Sequence, residues 1–185
     1  MTDDDDLIAA AKQGDPDAWR ELYRAHAGRL LVWLETRAPV DGGVAAEDIA
    51  AESWLTAAKK IQEFRGTSSD FAGWLFGIGR HLAANARRRS GRRRTDPSEH
   101  DELTQVAGTV PGPDHAVPGQ EWVRQALASL PPRERDVLAC LEVVGLDVNA
   151  TATALGMSAV GVRVARHRGL KRLRAQVGGP QPLPT

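Results

Sequence analysis

The stretch from Thr151 to Arg174, TATALGMSAVGVRVARHRGLKRLR, constrains the fold of this chain more than any other feature. Its spacing is that of a helix, a tight turn and a second helix crossing the first. Ala152 must be small where the second helix crosses, Gly156 suits a left-handed turn position, and Val162 is the apolar plug. Leu155 and Met157 flank the turn as further core, and Ser158 is placed to cap the second helix. Each residue is ordinary alone. Together they describe one helix-turn-helix.

With residues 158–174 as a single helix, a step of about 100° per residue gathers Arg163, His167, Lys171 and Arg174 on one stripe. Val162, Ala165, Gly169 and Leu173 fall on another. In this motif the N-terminal part of the second helix enters the major groove. Ser158, Ala159, Val160, Arg163 and His167 are therefore the candidates for reaching base edges. Arg168, Lys171, Arg172 and Arg174 are the candidates for phosphate contacts. A solvated helix end whose positive charge complements the dipole is the alternative use of these later residues.

Elsewhere, apolar positions recur at spacings of three and four and strand signals are scarce, which predicts an all-α protein. A first helix is expected over residues 15–37, opened by Pro16, with Trp19, Leu22, Tyr23, Leu30, Leu31 and Leu34 available for burial and Pro39, Gly42 and Gly43 ending it. A second begins near Val44 and carries Ile49, Trp54, Leu55, Ala58 and Ile61; residues 66–70 read as a loop. A third, residues 71–89, puts Phe71, Trp74, Leu75, Ile78 and Leu82 in one stripe. Its opposite side, Gly73, Gly77, Arg80, Ala84 and Arg87, is small and basic. From Gly91 to Gly119 the apolar period fails amid glycine, proline and charge, the mark of an interdomain linker. The expected organisation is two small helical domains, residues 1–92 and 119–177, joined by a flexible linker over 93–118 and followed by a disordered tail over 178–185.

The 24 Lys and Arg balance the 24 Asp and Glu, which excludes a uniformly basic surface. The balance hides a segregation. Asp3 to Asp6 open the chain, Arg87, Arg88, Arg89, Arg92, Arg93 and Arg94 cluster at its middle, and a basic series runs from Arg163 to Arg174. The single cysteine, Cys140, lies in an apolar stretch and reads as a core thiol, so no disulfide framework or cysteine-based metal site is expected. The five histidines are dispersed, and no nucleophile with a base, paired carboxylate or phosphate loop stands out, so neither catalysis, cofactor nor metal is expected. An acidic N-terminus, and no apolar run near the about 18 residues that a membrane span needs, predict a cytoplasmic protein without membrane insertion.

The run LASLPPRERDVLACLEVVGLDVNATATALGMS resembles the second DNA-binding region of RNA polymerase sigma factors of the extracytoplasmic-function type, bacterial proteins built of regions 2 and 4. Leu130, Pro131 and Arg135 precede the apolar Val137, Leu138 and Leu141, and the likeness continues through Val162, Arg163, His167, Arg168, Leu170 and Leu173. Independently, AEDIAAESWLTAAKKI followed by FAGWLFGIGRHLAANARRR is similar to the family's core-binding and promoter-opening region.

The resemblance implies a sigma factor that binds the polymerase core through the beta' clamp and beta flap and starts transcription at promoters with suitable -10 and -35 elements. Asp48, Ile49, Glu52 and Leu55 would dock on the clamp coiled coil. Arg65, Gly66, Thr67 and Ser68, with Arg80, Arg87 and Arg88, would recognise and open the -10 element; residues 158–174 would grip the -35 element. An anti-sigma partner is a further expectation. Departures from the family's habits stand at Ala51, His81, Asn85, Ala150 (often glutamate), Val160 and Gly161, so base preference does not carry over. A dimeric helix-turn-helix regulator would explain only the C-terminal block, and a protein-binding adaptor would leave the Arg163 stripe idle.

Overall fold

Asp15 accepts backbone hydrogen bonds from Asp17 and Ala18, and Pro16 follows in the first turn, so a long helix starts where the sequence places it. The computed structural model describes residues 4–37, 45–95 and 120–177, and among these every regular element is helical. A short helix α1 (Asp4–Lys12) precedes α2 (Pro16–Glu35); α3 (Ala46–Lys60), a 3-10 turn (Ile61–Glu63) and α4 (Ser68–Thr95) follow. The C-terminal block holds α5 (Gln120–Ala128), α6 (Pro132–Leu138), one π turn (Ala139–Val143), α7 (Val148–Leu155) and α8 (Ala159–Val177). The expected helix stops at residues 39–43, the linker from residue 96 and the tail lie outside the described residues.

In the N-terminal bundle, α1, α2 and α3 all pack on α4. Leu22, Leu30 and Trp33 of α2 meet Phe71, Leu75 and Phe76 of α4 in a fully enclosed core, where each such side chain contributes about 2–3 kcal/mol. Phe64, Phe71 and Trp74 form an aromatic cluster with ring centroids 4.9–5.8 Å apart. Phe71 and Trp74 are thus core residues, as their stripe predicts. Tyr23 and Leu55, expected in the core, are instead exposed. α1 was not foreseen: behind its acidic start, Ile8 and Ala11 are buried in the bundle.

Helix α4 begins three residues earlier than expected. At its start the Asp70 carboxylate accepts hydrogen bonds from the Thr67 backbone N–H and hydroxyl, both at 3.0 Å. These bonds from Asp70 back to Thr67 draw Ser68, Ser69 and Asp70 into the first turn. At the other end, residues 91–95 continue α4 into what reads as linker.

In the C-terminal block, Asp147 caps α7 by accepting from the Ala150 N–H at 2.8 Å, and Gly156 ends it at φ +63°, the left-handed conformation that glycine adopts without cost. Ser158 then accepts from the Gly161 N–H at 3.1 Å and opens α8. Val162 and Ala165 are buried, whereas Arg163, His167, Lys171 and Arg174 face solvent, the two stripes expected. Arg135 donates to the carbonyls of Leu127, Ala128 and Leu130 and so ties the end of α5 to α6. Cys140 is fully buried, and burial, with Asp136 nearby, pushes its thiol up to about 12.

The two blocks are joined through α4 and α7, the most extensive helix pair among the described residues. Small side chains make this possible: α7 lays Ala150, Thr153 and Ala154 against Gly73 and Gly77. Arg29 donates to the carbonyls of Val144 and Gly145 at 2.7 and 2.8 Å, and Arg37 pairs with Asp136 at 2.6 Å. The side of α4 that reads as open, small and basic is a packing face in its first half.

Candidate nucleic-acid interface

Along α8 the side chains of Arg163, His167, Lys171 and Arg174, with the half-buried Val148 and Leu170, border a shallow cleft. Ser158, Val160 and Arg168 are exposed, Ala159 is half-buried, and Val160 shows 66 % of its surface at the tip. A recognition helix needs this arrangement, with apolar residues holding one side and hydrogen-bond donors free on the other. Two basic residues are engaged within the domain. Arg166 pairs with Glu142 at 2.6 Å, and Arg172, expected to contact phosphate, lies 2.9 Å from the buried Glu134 of α6. That pair ties α8 to α6, so Arg172 holds α8 in place.

The 65–70 segment is closed on itself. Arg65 donates to the carbonyls of Gln62 and Phe64, Gly66 has φ +148°, and the Thr67 hydroxyl lies 2.7 Å from that of Ser69. Ser68 is half-buried. Farther along α4, Arg87 and Arg88 are exposed, and Arg88 donates to Asn85 at 2.6 Å. Arg80 is half-buried, its guanidinium reaching Gly156 of the helix-turn-helix.

On α3, Asp48 and Glu52 are exposed on one side and Leu55 shows 62 % of its surface. Ile49 is the exception among the expected docking residues. It is 8 % exposed and turned into the bundle, because a step of about 100° from Asp48 carries it off the outer face. Beside Leu55 runs a feature not foreseen, an apolar groove of about 920 Å³ between α2 and α3, bordered by Trp19, Tyr23, Leu31, Ala51 and Trp54. Tyr23 and Trp54 meet at its border, their ring centroids 5.0 Å apart and their planes tilted by 49°. The signal was Tyr23 and Leu55, large residues at the margins of their helices' buried stripes.

His26 lies in the bundle core 5.7 Å from the Phe71 ring. Burial, helped by the Arg29 charge, lowers its pKa to about 4, so it is neutral at physiological pH. Among the described residues no group of three or more His, Cys, Asp or Glu side chains could hold a metal, and no helix is long and apolar enough to cross a membrane.

Residues 22–95 match the sigma-70 region 2 family and residues 120–173 the sigma-70 region 4 family. The chain is 33% identical over 180 residues to the ECF RNA polymerase sigma factor SigD of Mycobacterium tuberculosis, covering 94% of this chain and 83% of SigD. It is 30% identical to ShbA of Streptomyces griseus, covering 91% and 92%. Among solved structures, CnrH in complex with the cytosolic domain of CnrY aligns with a TM-score of 0.66 at 21% identity, over 96% of this chain and 99% of CnrH. The sigma factor RpoE in complex with the anti-sigma factor NepR from Bartonella quintana aligns with 0.63 at 18%, over 89% and 99%. These two similarities extend across both helical blocks.

Proposed function

Since this chain belongs to the extracytoplasmic-function family of RNA polymerase sigma factors, we propose a division of labour among its surfaces. The protein binds the polymerase core and directs promoter-specific initiation, a regulatory role. Residues 1–92 are the part that docks on the core and opens the -10 element, and residues 119–177 the part that grips the -35 element, with residues 93–118 linking them. The observation that carries this reading is the order and separation of two blocks, each with its own match. A dimeric regulator accounts for the second block alone.

Within region 4, Ser158, Ala159, Val160, Arg163 and His167 meet base edges, and Arg168, Lys171 and Arg174 meet phosphates, supported by the exposure of all of them except the half-buried Ala159. Arg172 acts through its Glu134 pair by fixing the helix. Within region 2, the exposed Arg87 and Arg88 follow the strand backbone, joined by Arg80 once α7 leaves α4, and the segment Arg65 to Ser68 reshapes around an unstacked base. The polymerase contact combines Asp48, Glu52 and Leu55 with the Tyr23–Trp54 groove, an apolar surface large enough to seat a partner helix.

CnrH and RpoE were each solved with a protein partner, CnrY and the anti-sigma factor NepR. An anti-sigma partner for this chain would use the same α2–α3 groove. Work on DNA and polymerase places the protein in the cytoplasm, acting by binding without catalysis.

Promoter melting tests the division. With core polymerase and a promoter carrying 2-aminopurine in the -10 element, the wild-type protein should raise the fluorescence. R87A together with R88A should abolish the rise while leaving core binding intact. An undiminished rise would remove these arginines from the opening step.

A further inference from the structure

Four arginines border one cleft where the two blocks meet. Arg37 at the end of α2, Arg80 and Arg87 of α4 and Arg133 of α6 border a cleft of about 350 Å³, and the one carboxylate among its lining residues is Asp136. Four positive groups against one negative leave a surplus of three charges. The charges differ in burial: the Arg37 side chain, which pairs with Asp136, is only 8 % exposed, Arg80 is half-buried, and Arg87 and Arg133 are exposed. The Nη1 of Arg37 is ion-paired with Asp136 at 2.6 Å, but its Nε is buried without an acceptor. The Nε of Arg80 is likewise buried without an acceptor. Desolvated donors left unpaired beside like charges oppose the packing that assembles them.

We propose that this cleft binds a small phosphate-bearing anion, which clasps regions 2 and 4 together. Guanidinium forks match the several oxygens of a phosphate group better than a single carboxylate can, and the volume is at the lower end for small-molecule sites. A nucleic-acid strand does not fit, because α7 lies on Gly73 and Gly77 beside the cleft and blocks its course along α4. Three of the arginines come from region 2 and Arg133 from region 4, so only the closed arrangement offers all four. An anion that prefers this arrangement shifts the population toward it. The consequence for transcription rests on the roles of Arg80 and Arg87 given above: while the anion is bound, both are withheld from promoter DNA.

The test is titration calorimetry of the full chain with pyrophosphate at low ionic strength, alongside energy transfer between one dye on each domain. The expected result is one site per chain, with transfer rising on binding. R133Q, at an exposed position, and R80Q should each weaken binding about tenfold, the loss of one charged hydrogen bond. K171Q on α8 should leave it unchanged. No binding, a fall in transfer, or equal weakening by K171Q would overturn the proposal. Run-off transcription without pyrophosphate separates this from the reading above: normal run-off with no pyrophosphate binding removes the anion site alone, and binding with closure but no run-off removes the functional reading alone.

Discussion

Gly73 of α4 lies directly against the backbone of Ala150 of α7: a Cβ at Gly73 would stand 2.7 Å from the Ala150 carbonyl oxygen and 2.9 Å from its Cα. Both atoms belong to backbone, which has nowhere to go. The contact also explains a departure from the family's habit, since a glutamate at position 150 would put a long charged side chain where Ala150 is buried.

Replacing Gly73 by alanine should therefore part the domains without harming either. Alanine favours the helix by up to about 1 kcal/mol, so region 2 keeps its stability while the seam loses its closest approach. Small-angle scattering should give a larger radius of gyration for G73A than for wild type. Identical profiles would show that the seam does not depend on this contact.

The residues along α8 should separate by chemistry. Arg163→Ala is expected to cost about 1–3 kcal/mol on a matched -35 duplex and to relax base preference, whereas Lys171→Ala should weaken all sequences alike and reduce the salt slope by about 1. Binding isotherms on matched and scrambled duplexes at several salt concentrations decide this. Equal losses on both duplexes from both variants would contradict it.

Docking on polymerase should depend on the outer side of α3. Asp48→Arg and Leu55→Asp lie at exposed positions, so both proteins should fold, and each should weaken core binding by about tenfold or more, as for a central interface residue. Binding of the -35 duplex serves as the control and should not change. Full affinity for core in both variants would move the docking surface elsewhere.

Acid should weaken the N-terminal bundle through His26. Its folded pKa, about 4, lies below the ordinary 6.5, so between those values the unfolded chain binds a proton that the folded chain refuses. The stability that neutral His26 secures is complete above pH 6.5 and is lost as pH falls toward 4, by up to about 3 kcal/mol. Urea midpoints at pH 7 and pH 5 should differ more for wild type than for His26→Phe. Equal differences would assign the acid sensitivity to other groups.

The helix-turn-helix was legible because its determinants are local. The Asp147 cap, the Gly156 turn, the Ser158 cap and the Val162 plug each act within a few residues. The seam was not legible, because Gly73 and Gly77 beside Arg80 and Arg87 describe an open basic stripe equally well until α7 is known to lie there. Ile49 was misplaced for a different reason. Its carboxylate neighbours mark an outer face, but one residue along a helix turns inward, a step visible in the sequence itself. The α2–α3 groove needs two helices to form and has no signature on either alone.

Run-off transcription with purified polymerase core, on templates with and without a promoter selected by this protein from genomic fragments, tests the sigma-factor function most directly. Transcripts of one defined length that require this protein, and that vanish when either the -10 or the -35 element is scrambled, are the expected result. Contradiction would come from intact protein that binds the same fragments yet starts no transcript with core.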